Sequence, residues 1–341
     1  MRIFFTHTPD MLRNYFGARA FAALRDIAEV RINPGEYILD ADALATAACG
    51  CEIIVSDRQT PGPAEFFAQA PDVAAFLRCA VDIRNIDVEA ASRAGVLVTR
   101  ATPGFTASVA EMAVGFMVDL SRGVTDSVIA YRAGETPAVH MGGQLKGATL
   151  GIVGYGEISG YLARLGVALG MSVLVNDPYK TVDDPDLSQV DLDPLLDRAD
   201  FVVCLAVANA ETENLLNAAA FARMQPSAFF INLSRGNLVD EAALLHALDA
   251  GQIAGAALDV GRAQDQKPSP ALARHPKVLA TPHVAGLTPQ AVEHQAFDVV
   301  EQVRALAAGR LPRGAVNADA AFRLDRLLPI MPRPLDRADR S

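Results

Sequence analysis

Four cysteines in 341 residues are too few for a disulfide framework. Cys49 and Cys51 stand closer together than the usual zinc pairs and have no companion ligands nearby. All four are read as reduced thiols, which implies a cytoplasmic address and no metal site. Basic residues are also short: 30 Lys+Arg face 40 Asp+Glu, a formal net charge of −10. Nucleic-acid binding needs a clustered basic face, and the same bulk charge argues against an anionic membrane surface. Long apolar runs are missing as well. The best stretch, Tyr161 to Val175, is interrupted by Arg164 and two glycines, whereas a membrane span needs about 18 uninterrupted apolar residues. Met1 to Phe5 opens like a leader peptide but reaches His7, Pro9 and Asp10 too soon.

What is present is a 51% hydrophobic chain, enough for a sizeable core, at a length that fits two domains. Short β-branched or aromatic runs alternate with Ala/Leu-rich helical stretches. Arg2–Thr6 reads as a strand and Met11–Ala28 as a helix, with further strands near 29–32, 52–56 and 96–99. A long apolar helix over about 107–131 leads to a second series. Its strands read at 149–153, 172–176, 201–205, 229–233, 256–258 and 278–280. They are almost continuously apolar, as strands buried on both faces should be. The βα rhythm predicts an α/β fold with parallel sheets. The segment 318–341 carries five Arg, four Asp and three Pro. It reads as a surface tail or as an arm lying on a partner subunit.

The strand ending at Val153 runs into Gly154-Tyr155-Gly156-Glu157-Ile158-Ser159, a G-x-G-x-x-S pattern that opens a helix over 161–170. The first glycine allows a tight turn, and the second lets a pyrophosphate approach the backbone. Free N–H groups at the helix start meet the phosphate charge. Ser159 is small enough for the close packing that a third glycine would serve. Asp177 lies 21 residues beyond Gly156, at the end of the next strand, where a carboxylate binds both ribose hydroxyls. A 2′-phosphate would meet that charge unfavourably, so the expected cofactor is NAD.

Arg235, Asp259 and His283 follow three successive strands at intervals of 24 residues. Ligands of open α/β sheets bind at the carboxyl ends of strands, so the three should converge. Arginine grips a carboxylate bidentately and polarises the neighbouring carbonyl. Histidine exchanges protons near neutral pH. Together they fit a 2-oxo or 2-hydroxy acid. His246 and His294 sit in helical patterns and read as surface or packing residues, while His7, His140 and His275 show no partner.

These segments, with Met224–Asp240, Ala254–Val260 and Thr281–Gly286, resemble the D-isomer-specific 2-hydroxyacid dehydrogenase family over about residues 76–317. The resemblance implies a Rossmann-type nucleotide-binding domain, 101–284, inserted into a flavodoxin-like substrate domain, 1–100 with 285–317, catalysis between them and a homodimer joined through the nucleotide domains. It makes Arg235 the carboxylate anchor and His283 the acid/base. Gly154, Tyr155, Gly156, Glu157, Ile158, Asp177, Val109, Ser234 and Asp259 become cofactor residues. Val109 would lie against the nicotinamide.

Departures from the family pattern touch the same sites. Where the family has Asp-Val-Phe-x-x-Glu-Pro, this chain places neutral Gln264 at the glutamate position and Asp265 one residue later. The expectation is that Asp265 pairs with His283 after a small loop shift. In the substrate loop, Asp82 replaces a glycine and Arg84 offers an offsetting cation. Ala206 and Ala208 replace a His and a Pro, which sets the common substrates in question. Arg58, Arg84 and Arg100 are candidates for a second anionic group. The expected function is NAD-dependent interconversion of a small D-2-hydroxy acid and its 2-oxo acid. The alternatives are a glyoxylate- or hydroxypyruvate-type reductase and a non-catalytic NAD(H)-sensing dimeric binding protein.

Overall fold

The computed structural model describes residues 1–327. They fall into two compact units, one of Met1–Gly104 with the chain from Pro289 onward, the other of Phe105–Thr288.

The first unit holds five parallel strands: β1 (Arg2–Phe5), β2 (Glu29–Ile32), β3 (Ile53–Ser56), β4 (Ala75–Arg78) and β5 (Leu97–Arg100). Their order is β2-β1-β3-β4-β5, the doubly wound order of flavodoxin-like sheets. Because strand side chains alternate, each strand feeds two cores. Phe4, Ile54, Phe76 and Val98 pack on one face with Leu44, Phe66 and Phe67. Phe5, Val55, Leu77 and Leu97 pack on the other with Val299, Val300 and Val303 of the helix Pro289–Ala307. Strand β4 was not anticipated. Its residues Ala75-Phe76-Leu77-Arg78 end in a charge that masks an otherwise apolar, fully buried strand.

Two further expectations change here. The helix expected over 11–28 is two, Pro9–Tyr15 and Ala18–Arg25, because Gly17 takes φ +85° between them. The expected tail is packed structure as far as it is described. Ala321 and Leu324 join the core, and Arg323 Nη1 donates to the carbonyls of Ala70 (2.8 Å) and Val73 (3.0 Å). The rest of that segment, 328–341, lies outside the described residues.

The second unit carries β6 (Thr149–Val153), β7 (Ser172–Asn176), β8 (Leu187–Gln189), β9 (Phe201–Cys204), β10 (Phe229–Asn232), β11 (Gly255–Leu258) and β12 (Val278–Ala280). All pair in parallel, in the order β12-β11-β10-β9-β6-β7-β8. The strand order reverses between β6 and β9, the switch point where dinucleotides bind in Rossmann sheets. The long helix expected over 107–131 is broken at Gly123 (φ +60°) into Thr106–Arg122 and Val124–Arg132. The helix after the glycine turn begins earlier than expected, at Glu157, and runs to Ala168.

The cysteines are free thiols, and burial pushes Cys79 and Cys204 up to about 12. Among the described residues no three His, Cys, Asp or Glu side chains gather as metal ligands. No helix among them is long and apolar enough to cross a membrane.

Candidate active site

In the second unit the glycine turn is built by space as much as by sequence. Gly154 has φ +89°, and a Cβ there would lie 2.5 Å from the Cα of Ala206, just past β9. Only glycine fits that turn. Gly156 is the opposite case: it caps the helix Glu157–Ala168, and an added Cβ would meet no atom within 4 Å. The open side of that residue is the approach a pyrophosphate needs, with the helix N–H groups behind it. Ser159 is buried below the turn and Glu157 is exposed at its rim, with Tyr155 and Ile158 half-buried. Asp177 is fixed beside the turn. Its Oδ2 accepts from the Tyr155 amide (2.7 Å), and its Oδ1 from the amides of Tyr179 (2.9 Å) and Lys180 (3.0 Å). An acidic end to β7, held to the glycine turn, fits a ribose diol and disfavours a 2′-phosphate. These residues fit a dinucleotide. Val109, on the helix Thr106–Arg122, is only 5% exposed, with most of its surface in the core.

Beyond β10, Ser234 Oγ donates to the Ala206 carbonyl (2.5 Å), tying the ends of β9 and β10. Asn232 braces the same turn, accepting from the Ser234 amide (3.1 Å) and donating to the Arg235 carbonyl (3.0 Å). Arg235 is half-buried, and its Nη1 donates to the Ser234 carbonyl (2.7 Å). Next to it, a Cβ on Gly236 would come within 2.1 Å of Gly261. The two glycines therefore let the loop after β11 pass directly against the arginine turn.

Asp259 is 1% exposed and fully engaged. Its Oδ1 accepts from Thr281 Oγ1 (2.6 Å) and the Val284 amide (2.8 Å), and its Oδ2 from the Ala285 amide (2.9 Å). A carboxylate buried with three donors is a positioning device. It clamps the loop after β12 on both sides of His283, so its observed partners are protein groups. His283 is half-buried with φ +61°, its amide donating to the Thr281 carbonyl (3.0 Å).

The expected pairing of His283 with a carboxylate does not form. Its Nδ1 lies 3.0 Å from the main-chain carbonyl of Asp265. The Asp265 carboxylate points to Lys267 Nζ (3.6 Å), and Gln264 is exposed. The physical reason is the loop's path: Asp265 (φ +58°) and Gln266 (φ +57°) are both left-handed, which turns a carbonyl toward the ring and the carboxylate outward.

In the first unit, Arg58, Asp82, Arg84 and Asn85 line a pocket of about 280 Å³ at the carboxyl ends of β3 and β4. The Arg84 guanidinium grips Asp82 through Nε (3.0 Å to Oδ1, 3.2 Å to Oδ2) and Nη2 (2.6 Å to Oδ2), and the Arg84 amide also donates to Oδ1 (3.0 Å). These bonds hold the Asp82 carboxyl well below the usual range and push the Arg84 guanidinium up. Arg100 ends β5 on the exposed side.

Residues 114–285 match the model for the D-isomer specific 2-hydroxyacid dehydrogenase, NAD binding domain. The chain belongs to this family. It is 35% identical over 270 residues to (S)-sulfolactate dehydrogenase of Chromohalobacter salexigens, covering 78% of this chain and 87% of that protein. It is 38% identical over 244 residues to D-3-phosphoglycerate dehydrogenase of a Synechocystis species, covering 70% of this chain and 44% of the relative. The chain thus spans less than half the length of that phosphoglycerate dehydrogenase. Among solved structures, the TT0316 protein of Thermus thermophilus superposes with a TM-score of 0.81 at 29% identity. That likeness covers 93% of this chain and 100% of that one.

One part of this family member's first unit was missed from sequence. Arg78 is completely buried where β4 ends. It donates to the Asp57 carbonyl, to the Thr60 carbonyl (2.9 Å) and to Asn85 Oδ1 (2.8 Å), stitching the loop after β3 to the loop carrying Asp82 and Arg84. Burial lowers it to about 10, against the pull of Asp57. Asp57, also buried, accepts from the hydroxyls of Thr6 (2.6 Å) and Thr60 (2.5 Å) and from the amides of Gln59 and Thr60. It sits below the usual range although burial alone would raise it. His7 stacks on Phe5 at 4.2 Å, and burial lowers it to about 4. Since His7 is neutral above that pH, the hydrogen bonds from Thr6 and Thr60 sustain the Asp57 charge at neutrality. The available signal was an apolar run ending in arginine, Phe76-Leu77-Arg78.

Proposed function

We propose that the chain is an NAD-dependent dehydrogenase interconverting a small D-2-hydroxy acid and its 2-oxo acid. The observation that carries this reading is the succession of Arg235, Asp259 and His283 at the carboxyl ends of neighbouring strands β10, β11 and β12 in the NAD-binding unit. The glycine turn Gly154–Gly156, with Glu157 and Ile158 opening the helix, would receive the cofactor's pyrophosphate, and Asp177 its ribose hydroxyls. Val109 and Ser234 complete that assignment. NAD, when bound, supplies the acceptor or donor of the hydride.

Arg235 binds the substrate carboxylate through its planar fork and stabilises charge developing on the C2 oxygen. His283 takes the hydroxyl proton in oxidation and returns it in reduction. Asp259 acts beneath them, holding the loop of His283 at both flanks. The substrate domain is unit one and the cofactor domain unit two. The named activities of the two relatives favour a substrate with a second anionic group, phosphate or sulfonate. Arg58 and Arg84, beside Asp82, are the arginines suited to it.

Exposed apolar side chains on the second unit support a homodimer: Val124, Val128, Ile129 and Tyr131, with Val139 and Met141 beyond them. Light scattering of the native chain against Ile129→Glu tests this. The dimer reading expects twice the chain mass in the native protein and a lighter variant. Four reduced thiols accord with a cytoplasmic enzyme.

The catalytic roles are tested by steady-state kinetics. Arg235→Gln is expected to raise KM and lower kcat by about 10²–10³. His283→Asn is expected to lower kcat by about 10²–10⁴ with NADH affinity kept. A native rate in either variant removes that residue from its role.

A further inference from the structure

We infer that the Asp265 main-chain carbonyl, not a side chain, fixes the tautomer of His283, making Asp265 a positioning residue through its backbone. The inference rests on the reading of His283 as the acid/base. A carbonyl oxygen only accepts hydrogen bonds, so an Nδ1 held 3.0 Å from it must carry the hydrogen in both charge states of the ring. The neutral ring is then the Nδ1–H tautomer, and Nε2 is the nitrogen that exchanges the proton. In oxidation Nε2 takes the C2 hydroxyl proton, while NAD, when bound, would accept the C2 hydrogen with its electron pair. C2 becomes the carbonyl carbon. Reduction returns both.

The carbonyl is aimed by backbone that few residues adopt. Asp265, Gln266 and His283 all have φ near +60°. Left-handed backbone is costly for any residue but glycine, and Asp tolerates it better than most. Hydrogen bonds across the loop hold the conformation: Gly261 N to Gln266 O (2.9 Å), Gln266 N to Ala263 O (3.0 Å) and Ala263 N to Lys267 O (3.1 Å). On the histidine side, the Asp259 clamp does the same. Three strained residues meeting at one hydrogen bond mark a site held for function.

The test combines a tautomer measurement with a backbone series. In protein with ¹⁵N-labelled histidine, long-range ¹H–¹⁵N spectra at high pH should show His283, identified by its loss in His283→Asn, as the Nδ1–H form. Asp265→Val, whose branched side chain resists left-handed backbone, should lose at least tenfold in kcat at unchanged NADH affinity. Asp265→Asn, which tolerates that backbone without a carboxylate, should recover the rate and keep the tautomer signature, as should Asp265→Gly if the valine variant does not fold. An Nε2–H signature in the native protein, or a rate lost in Asp265→Asn as in Asp265→Val, overturns the inference. A His283→Asn variant with native turnover would instead defeat the acid/base reading, leaving the tautomer assignment to the spectrum.

Discussion

Asp259→Asn is the sharpest probe of how the second unit arms its histidine. The native carboxylate is buried and receives three donors, the Thr281 hydroxyl and the amides of Val284 and Ala285. An asparagine keeps one acceptor oxygen and turns an N–H₂ toward donors on the other side. At least one charge-assisted bond is lost, about 1.5–3 kcal/mol, and a buried donor is left without a partner, about 1–3 kcal/mol. The expected destabilisation is about 2.5–6 kcal/mol, read as a lower urea midpoint. The functional loss should exceed the structural one. The clamp holds residues on both flanks of His283, and a shift of about 1 Å at a reacting group costs roughly 10²-fold in rate. NADH affinity, measured by fluorescence titration, should stay within a few-fold, because the glycine turn and Asp177 stand on β6 and β7. The reasoning is refuted if the urea midpoint is unmoved, or if NADH affinity falls as far as kcat.

Other outcomes follow from the same geometry. Gly156→Ala should fold with native stability yet weaken NADH binding at least tenfold, since its added methyl meets only the approach to the turn. Gly154→Ala should unfold more readily, its methyl being driven into Ala206 at φ +89°. Gly236→Ala should push the 261–267 loop from Arg235 and lower kcat at least tenfold, which substrate kinetics will read. Acid should weaken the first unit through His7. Its unfolded ring binds a proton near 6.5 and the folded ring only near 4, so stability falls as pH drops through that window, by up to about 3 kcal/mol. Urea unfolding at pH 7 and pH 4.5 should show this slope in the native chain and a flatter one in His7→Phe; equal slopes would exonerate His7.

The second unit was largely legible in sequence because buried parallel strands are continuous apolar runs and its site residues sit one after each strand. Thr149–Val153 and Ser172–Asn176 were read to the residue. The first unit was harder. Its strands are four residues long, and β4 ends in Arg78, whose charge looks like a surface residue until three acceptors from two loops enclose it. Glycine breaks at Gly17 and Gly123 were hidden by apolar periodicity running through them. The His283 partner was the least readable feature. A search for a partner looks for side chains, whereas the acceptor here is a main-chain oxygen aimed by left-handed backbone at Asp265 and Gln266. Packing around Gly236 and Gly261, together with the hydrogen bonds within 261–267, decides that path.

The central claim is that hydrogen leaves C2 of a 2-hydroxy acid for NAD on this chain, and isotope transfer tests it most directly. C2-deuterated D-2-hydroxy acids, with 3-phosphoglycerate and sulfolactate among them, are incubated with the protein and NAD, and the reduced cofactor is weighed by mass spectrometry. Reduced cofactor one mass unit heavier is expected with at least one acid, formed at least about 10²-fold more slowly by Arg235→Gln at matched concentration. Tight NADH binding with no labelled product from any acid would contradict it.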